Sequence, residues 1–105
     1  MEKLVLISVL VCSLTGYTDS CGQKPYGITA NMQETRWGIV ACAGWPYGTI
    51  FEIEDMGRFV CQDRGGLIKE WNQVDIWFST YWAAKSFGVR RRWAKVYVSL
   101  PFYLP

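Results

Sequence analysis

Apolar and polar positions alternate along much of this chain with a period of two, the spacing expected of strands with one buried face. In Val74-Asp75-Ile76-Trp77-Phe78 the residues Val74, Ile76 and Phe78 share one side, and Asp75 and Trp77 share the other. The first side is the natural core face. Ala94, Val96, Val98 and Leu100 alternate in the same way against Trp93, Lys95, Tyr97 and Ser99, ending at Pro101. Residues 49–54 alternate as well. Asp55-Met56-Gly57 then turns the chain and residues 58–63 return, which predicts a hairpin over 52–63 broken by Gly65-Gly66. Residues 38–43 form an apolar run, read as a buried strand ended by Gly44, Pro46 and Gly48.

Between these strands the punctuation is equally regular. Gly16, Asp19, Ser20, Gly22, Pro25 and Gly27 crowd residues 15–27, a density of turn formers that describes a loop, and Ile28-Thr29-Ala30 follows as a short strand. Residues 80–87 carry the helix formers Ala83, Ala84 and Lys85 between a candidate N-cap, Ser79, and a candidate C-terminal glycine, Gly88. The N-terminus supports two readings. Met1-Glu2-Lys3 followed by the apolar residues 4–14 has the form of a signal peptide, with Val11 and Ser13 suiting cleavage; the same residues are rich in Val, Leu and Ile and suit a first buried strand. The run falls short of the roughly 20 residues of a membrane-spanning helix, so no stable membrane span is expected.

The 105 residues leave room for a single domain over 1–105, and 50% hydrophobic against 19% charged residues is the balance of a chain that buries a core. Several short strands with one or two short helices suggest a closed barrel more than a sandwich, so the expected class is mainly β. The absence of histidine removes Ser-His-Asp and Cys-His machinery and every imidazole-based zinc site. Acid–base work near neutral pH then falls to carboxylates, lysines or tyrosines. Cys12, Cys21, Cys42 and Cys61 include no C-x-x-C pair, which argues against a metal site; Cys42 and Cys61 are candidates for a bridge, or are small buried hydrophobes. The net charge of +2 carries no nucleic-acid footprint. Arg90-Arg91-Arg92-Trp93 offers a local one, and a helix end followed by a solvated charge run accounts for the same residues.

The most specific chemistry lies in Asp63-Arg64-Gly65-Gly66-Leu67-Ile68-Lys69 and in Asp75, two acids at strand boundaries separated by a glycine turn. An ionised carboxylate is costly to bury without partners, so Asp75 should face a groove, an arginine or a turn amide. The purely structural reading pairs Asp75 with Arg64 or Arg90 and makes Asp63 the cap of the glycine turn.

Asp63, Gly65-Gly66, Ile68-Lys69 and Asp75 together resemble the signature of the three-aspartate domain family. The resemblance extends through Thr15-Gly16-Tyr17, Gly27-Ile28-Thr29-Ala30, Pro46-Tyr47-Gly48-Thr49, Ala84, Phe87-Gly88 and Val96-Tyr97-Val98, nearly the whole chain. It implies a small six-stranded double-psi β-barrel, and cleavage after Ser13 would remove residues that the family pattern uses in its first strand, which sets the resemblance against a removable signal over 1–14. Two departures bear on activity more than on fold: the family's first aspartate is missing, with Ala43 at about its place, and Glu70-Trp71-Asn72-Gln73 makes the segment between the remaining acids slightly long.

Members of this family resemble peptidoglycan lytic transglycosylases, which cut between N-acetylmuramic acid and N-acetylglucosamine and close a 1,6-anhydro ring. By that resemblance Asp75 is the catalytic acid/base, its pKa raised by burial against Trp77 and by the charge of Asp63, while Asp63 stays ionised and supports the transition state. Thr15, Thr29 and Lys69 match family positions beside the groove, as potential hydrogen-bonding partners of the glycan. Trp45, Tyr47, Trp71 and Trp77 are candidates for stacking on sugar faces, whereas Trp37, Trp82 and Trp93 read as core. No cofactor is implied; the expected partner is the peptidoglycan glycan strand and not nucleic acid, and the expected setting is secreted or cell-envelope, or phage-encoded and acting on the wall. A non-catalytic polysaccharide-binding barrel, similar to expansin-like relatives, is the alternative, and it would lock Asp75 in a salt bridge.

Overall fold

The computed structural model describes residues 3–19 and 27–100. Among them are six strands, β1 (Lys3–Tyr17), β2 (Ile39–Ala41), β3 (Ile50–Ile53), β4 (Gly57–Asp63), β5 (Gln73–Trp77) and β6 (Arg90–Leu100), and one helix, α1 (Tyr81–Phe87). The strands close into a barrel in the order β1-β5-β2-β4-β3-β6, which leaves β1 beside β6. β1–β5 and β2–β4 pair in parallel and the other neighbours antiparallel, an arrangement compatible with a double-psi barrel. Closure pairs strands that an open sheet would leave as edges.

The period-two pattern sets which residues enter the barrel. Leu14, Val40, Phe51, Ile53, Phe59, Val74, Ile76, Ala94 and Val96 form the buried cluster, and Phe78 packs against its margin. Phe51 and Phe59 sit opposite each other across the β3–β4 hairpin with 0% and 1% exposure. Burying side chains of this size stabilises the fold by about 1.5–3 kcal/mol each. The hairpin turns where Asp55 and Gly57 take φ of 63° and 94°, which matches the turn expected at Asp55-Met56-Gly57.

The apolar N-terminal run folds as β1. Its first part pairs with β6 alone, from Lys3↔Leu100 onward, and leaves Leu4, Leu6, Ile7 and Val9 substantially exposed; Ser13 to Tyr17 also pair with β5. Cys42, just beyond β2, is bridged to Cys61 in β4 with Cα atoms 5.9 Å apart. Cys12 is a free, buried thiol that burial pushes up to about 11, and Cys21 lies outside the described residues.

Several sequence expectations are corrected. The helix is capped by Thr80, not Ser79, because the Thr80 hydroxyl is the one that accepts from the third helical amide, Ala83 N, at 3.1 Å. β6 begins at Arg90 rather than Trp93, so the arginines belong to a strand: Arg90, Arg91 and Arg92 pair with Leu14, Ser13 and Cys12. Ile28-Thr29-Ala30 is not a strand; only Ile28 makes an isolated bridge, to Glu34. Part of the loop expected over 15–27, residues 20–26, lies outside the described residues.

Candidate active site

Thr15, Asp75, Ala41 and Asp63 form a row across four neighbouring strands. Thr15 is opposite Asp75 in the β1–β5 pair, Asp75 is opposite Ala41 in β5–β2, and Ala41 is opposite Asp63 in β2–β4. Directly opposed residues point to the same side of a sheet. Leu14, Val40, Val74 and Ile76, the chain neighbours of Thr15, Ala41 and Asp75, fill the barrel, so these three point away from the core, and a register shift between Val40 and Ala41 brings Asp63, two residues after the core residue Cys61, into the same row. Two strand spacings separate Asp75 from Asp63, about 10 Å at the backbone. The glycine turn folds back over the gap, and a Cβ on Gly65 would lie 3.8 Å from Ala41 Cβ.

Asp75 is half-buried and accepts the Thr15 hydroxyl through Oδ1 at 2.9 Å. Burial raises its pKa above the ordinary carboxylate value, the Thr15 hydrogen bond partly offsets that, and the charge of Asp63 raises it again. Neither arginine proposed as its ion-pair partner is available. Arg64 donates to Trp45 O at 2.7 Å, places Nη1 3.2 Å from each sulfur of the disulfide and stacks over Tyr47 at 4.1 Å. Arg90 donates to Phe87 O at 3.0 Å. Among the described residues Asp75 makes no salt bridge.

Asp63 is held from three sides. Its Oδ1 accepts from Ala30 N at 2.8 Å and from Arg64 N at 2.9 Å, and its Oδ2 accepts the Tyr17 hydroxyl at 2.7 Å. The Arg64 contact is the turn cap expected from sequence. Tyr17, two residues beyond Thr15 on the same face of β1, is a component that sequence reasoning missed, although Thr15-Gly16-Tyr17 was part of the family resemblance. Burial above all, then the hydrogen bond to Asp63 and the charges of Asp63, Asp75 and Asp19, push its phenol well above the ordinary value.

Asp19, read from sequence only as a turn residue, is therefore a third carboxylate around Tyr17. Its Oδ1 accepts the Trp77 indole N–H at 2.8 Å and lies 3.2 Å from the Thr35 hydroxyl. Trp77 is 5% exposed, so its ring is packed and its contribution is this hydrogen bond, not an open stacking surface. Trp45 is likewise buried, with its indole N–H on Trp71 O at 2.8 Å. The expectation of core positions for the other tryptophans is corrected: Trp37, in the turn before β2 with its ring against Phe59 and Phe78, Trp82 on α1 and Trp93 within β6 are 56%, 69% and 55% exposed. Trp71 is 57% exposed, and Tyr47, 38% exposed, carries the Arg64 guanidinium over its ring.

Thr29 is buried, and its hydroxyl accepts from Gln33 N at 3.0 Å, which shapes the loop that delivers the Ala30 amide to Asp63. Lys69 is exposed on the β4–β5 connection, its backbone amide fixed by Gln73 Oε1 at 2.9 Å. Tyr17 also borders a cleft of about 400 Å³ between the end of β1 and α1. A second cleft of similar volume, beside the β3–β4 turn, contains none of Thr15, Asp63 or Asp75.

Among the described residues no group of His, Cys, Asp and Glu has the arrangement of a metal site, and no helix is long and apolar enough to cross a membrane. Asp75, its pKa raised, and Asp63, held by three hydrogen bonds, stand two strands apart in the same row. No protein-family profile matches this chain, and no curated protein matches its sequence.

Proposed function

We propose that this protein is a three-aspartate-type lytic transglycosylase that cleaves peptidoglycan between N-acetylmuramic acid and N-acetylglucosamine, acting on the wall from a secreted or envelope position or as a phage product. The observation that carries the reading is the environment of Asp75: half-buried, raised in pKa, free of any salt bridge among the described residues, and electrostatically coupled to Asp63. A polysaccharide-binding barrel that had lost catalysis would have no need to keep its acid unpaired.

In the proposed reaction the protonated Asp75 donates its proton to the glycosidic oxygen as the bond from C1 to that oxygen breaks. The Asp63 carboxylate, fixed by Tyr17 and two backbone amides, supports the positive charge that develops on the sugar. Asp75, now a carboxylate, takes the proton of the sugar's own 6-hydroxyl as that oxygen bonds to C1. The proton count closes, and the product is a 1,6-anhydro sugar with no water consumed. Thr15 holds the Asp75 carboxyl in place, and Asp19 supplies a third carboxylate from a position unlike that of the missing family aspartate.

The test is digestion of purified peptidoglycan by the wild type and by Asp75→Asn, with products resolved by mass spectrometry. Anhydromuropeptides from the wild type alone are the expected result. A folded wild type that binds the polymer and releases nothing would make the binding barrel the correct reading.

A further inference from the structure

The cleft between β1 and α1 is lined by Gly16, Tyr17 and Thr18 on one wall and by Tyr81, Ala84 and Lys85 on the other. Tyr81, Ala84 and Lys85 are spaced i, i+3, i+4, which sets them on one side of α1. Close packing builds the cleft floor: a Cβ on Gly16 would fall 2.8 Å from the Phe78 ring and 3.0 Å from Ala84 O, so helix and strand approach as near as a glycine permits. The cleft adjoins the acids through Tyr17, which lines it and gives its hydroxyl to Asp63.

Its chemistry is distinctive. The Lys85 ammonium lies 5.8 Å from the Tyr81 ring centroid and 5.5 Å from that of Trp82, and these two rings meet edge to face at 5.5 Å. Among the described residues no carboxylate pairs with Lys85. Tyr81 and Trp82 are 58% and 69% exposed. A cation backed by two open aromatic rings suits a ligand that carries a carboxylate on an apolar arm.

We propose that this cleft is a subsite for the acidic stem peptide that hangs from the muramic acid of a strand bound at Asp63 and Asp75. The inference rests on the peptidoglycan reading above. The amino-sugar backbone of that polymer is uncharged, and its carboxylates belong to the peptide arm, so a lone lysine in a cleft that continues from the acids has the peptide as its counter-charge. Lys85 binds a peptide carboxylate, and Tyr81 covers the apolar side chains next to it.

Binding to intact sacculi is compared with binding to sacculi whose peptide carboxylates have been capped as methylamides. The full chain carrying Asp75→Asn is used so that the polymer persists. The expected result is about three- to fivefold tighter binding to the charged polymer at low salt, the scale of a partly exposed ion pair. Adding Lys85→Met should abolish that preference, whereas Lys85→Arg should keep it; both are helix-compatible changes at an exposed site. A preference that survives Lys85→Met, or none to begin with, overturns the subsite. If the wild type releases anhydromuropeptides and Lys85→Met keeps the preference, only the subsite falls. If the wild type neither binds nor cleaves sacculi, both readings fall.

Discussion

Thr15 donates its hydroxyl to Asp75 Oδ1 at 2.9 Å across the parallel β1–β5 pair, between residues 60 apart in the chain. The bond opposes the effect of burial on Asp75, so the carboxyl is raised by its surroundings and restrained by one neighbour. That balance makes the pair the most informative place to perturb this protein.

Replacing Thr15 by Val removes the one hydrogen bond that lowers the Asp75 pKa. The alkaline limb of the pH–rate profile for anhydromuropeptide release should move upward, because Asp75 then holds its proton to higher pH. The rate on that profile's plateau should fall as the carboxyl loses its orientation. Loss of the hydrogen bond should cost about 1 kcal/mol of stability, measured by urea unfolding. An unchanged alkaline limb would remove Asp75 from the role of acid.

Asp75→Asn should abolish cleavage, by about 100-fold or more, and should also stabilise the fold at neutral pH. The sign comes from linkage. Asp75 titrates higher in the folded state than its ordinary 3.8, so below that value both states are protonated and the native protein bears no penalty. As pH rises above 3.8 the unfolded chain ionises first, and stability falls until the folded pKa is passed. The amide has no such penalty and still accepts the Thr15 hydroxyl. Urea midpoints of the two proteins should therefore diverge as pH rises from about 4 to neutrality and converge in acid; midpoints that differ by a constant amount across that window would contradict the assignment.

Removing the Cys42–Cys61 bridge as the Cys42→Ala, Cys61→Ala double variant should lower stability by about 3 kcal/mol, since the closed loop spans a separation of 19 residues. The same variant frees Arg64 from the sulfurs beside which it lies. Denaturant unfolding with and without a thiol reductant measures this: the wild type should shift toward the variant on reduction, and the variant should not shift.

Gly44→Ala should destabilise by at least about 1 kcal/mol. Gly44 has φ of +81°, and a Cβ there would meet the Trp71 ring at 3.1 Å. Trp71 O is the acceptor for the buried Trp45 indole, so displacement of that ring should also be visible as a change in tryptophan fluorescence of the native protein.

The alternation of residues over 49–63 and 74–78 by itself determined the hairpin, the core faces and the outward placement of Asp75, because side-chain direction in a strand is a local property of period two. The glycines at 65 and 66 likewise determined that Asp63 ends a strand and caps the turn beside it. Local chemistry also specified a helix, although the choice between Ser79 and Thr80 as its cap depended on which hydroxyl reached Ala83 N. Tertiary structure alone decided which distant residues complete the site. Parallel pairing of β1 with β5 and of β2 with β4, joined by the antiparallel β2–β5 pair, sets Thr15, Ala41, Asp63 and Asp75 in one row and brings Tyr17 and Asp19 to it, and no local pattern encodes register between strands so far apart in the chain. It also decided which aromatic rings are open. Trp77 shares the outward face of Asp75 and is nevertheless covered, with Asp19 on its indole, while Trp37, Trp82 and Trp93 stay exposed. Exposure depends on what packs above a face, and only the folded chain supplies that cover.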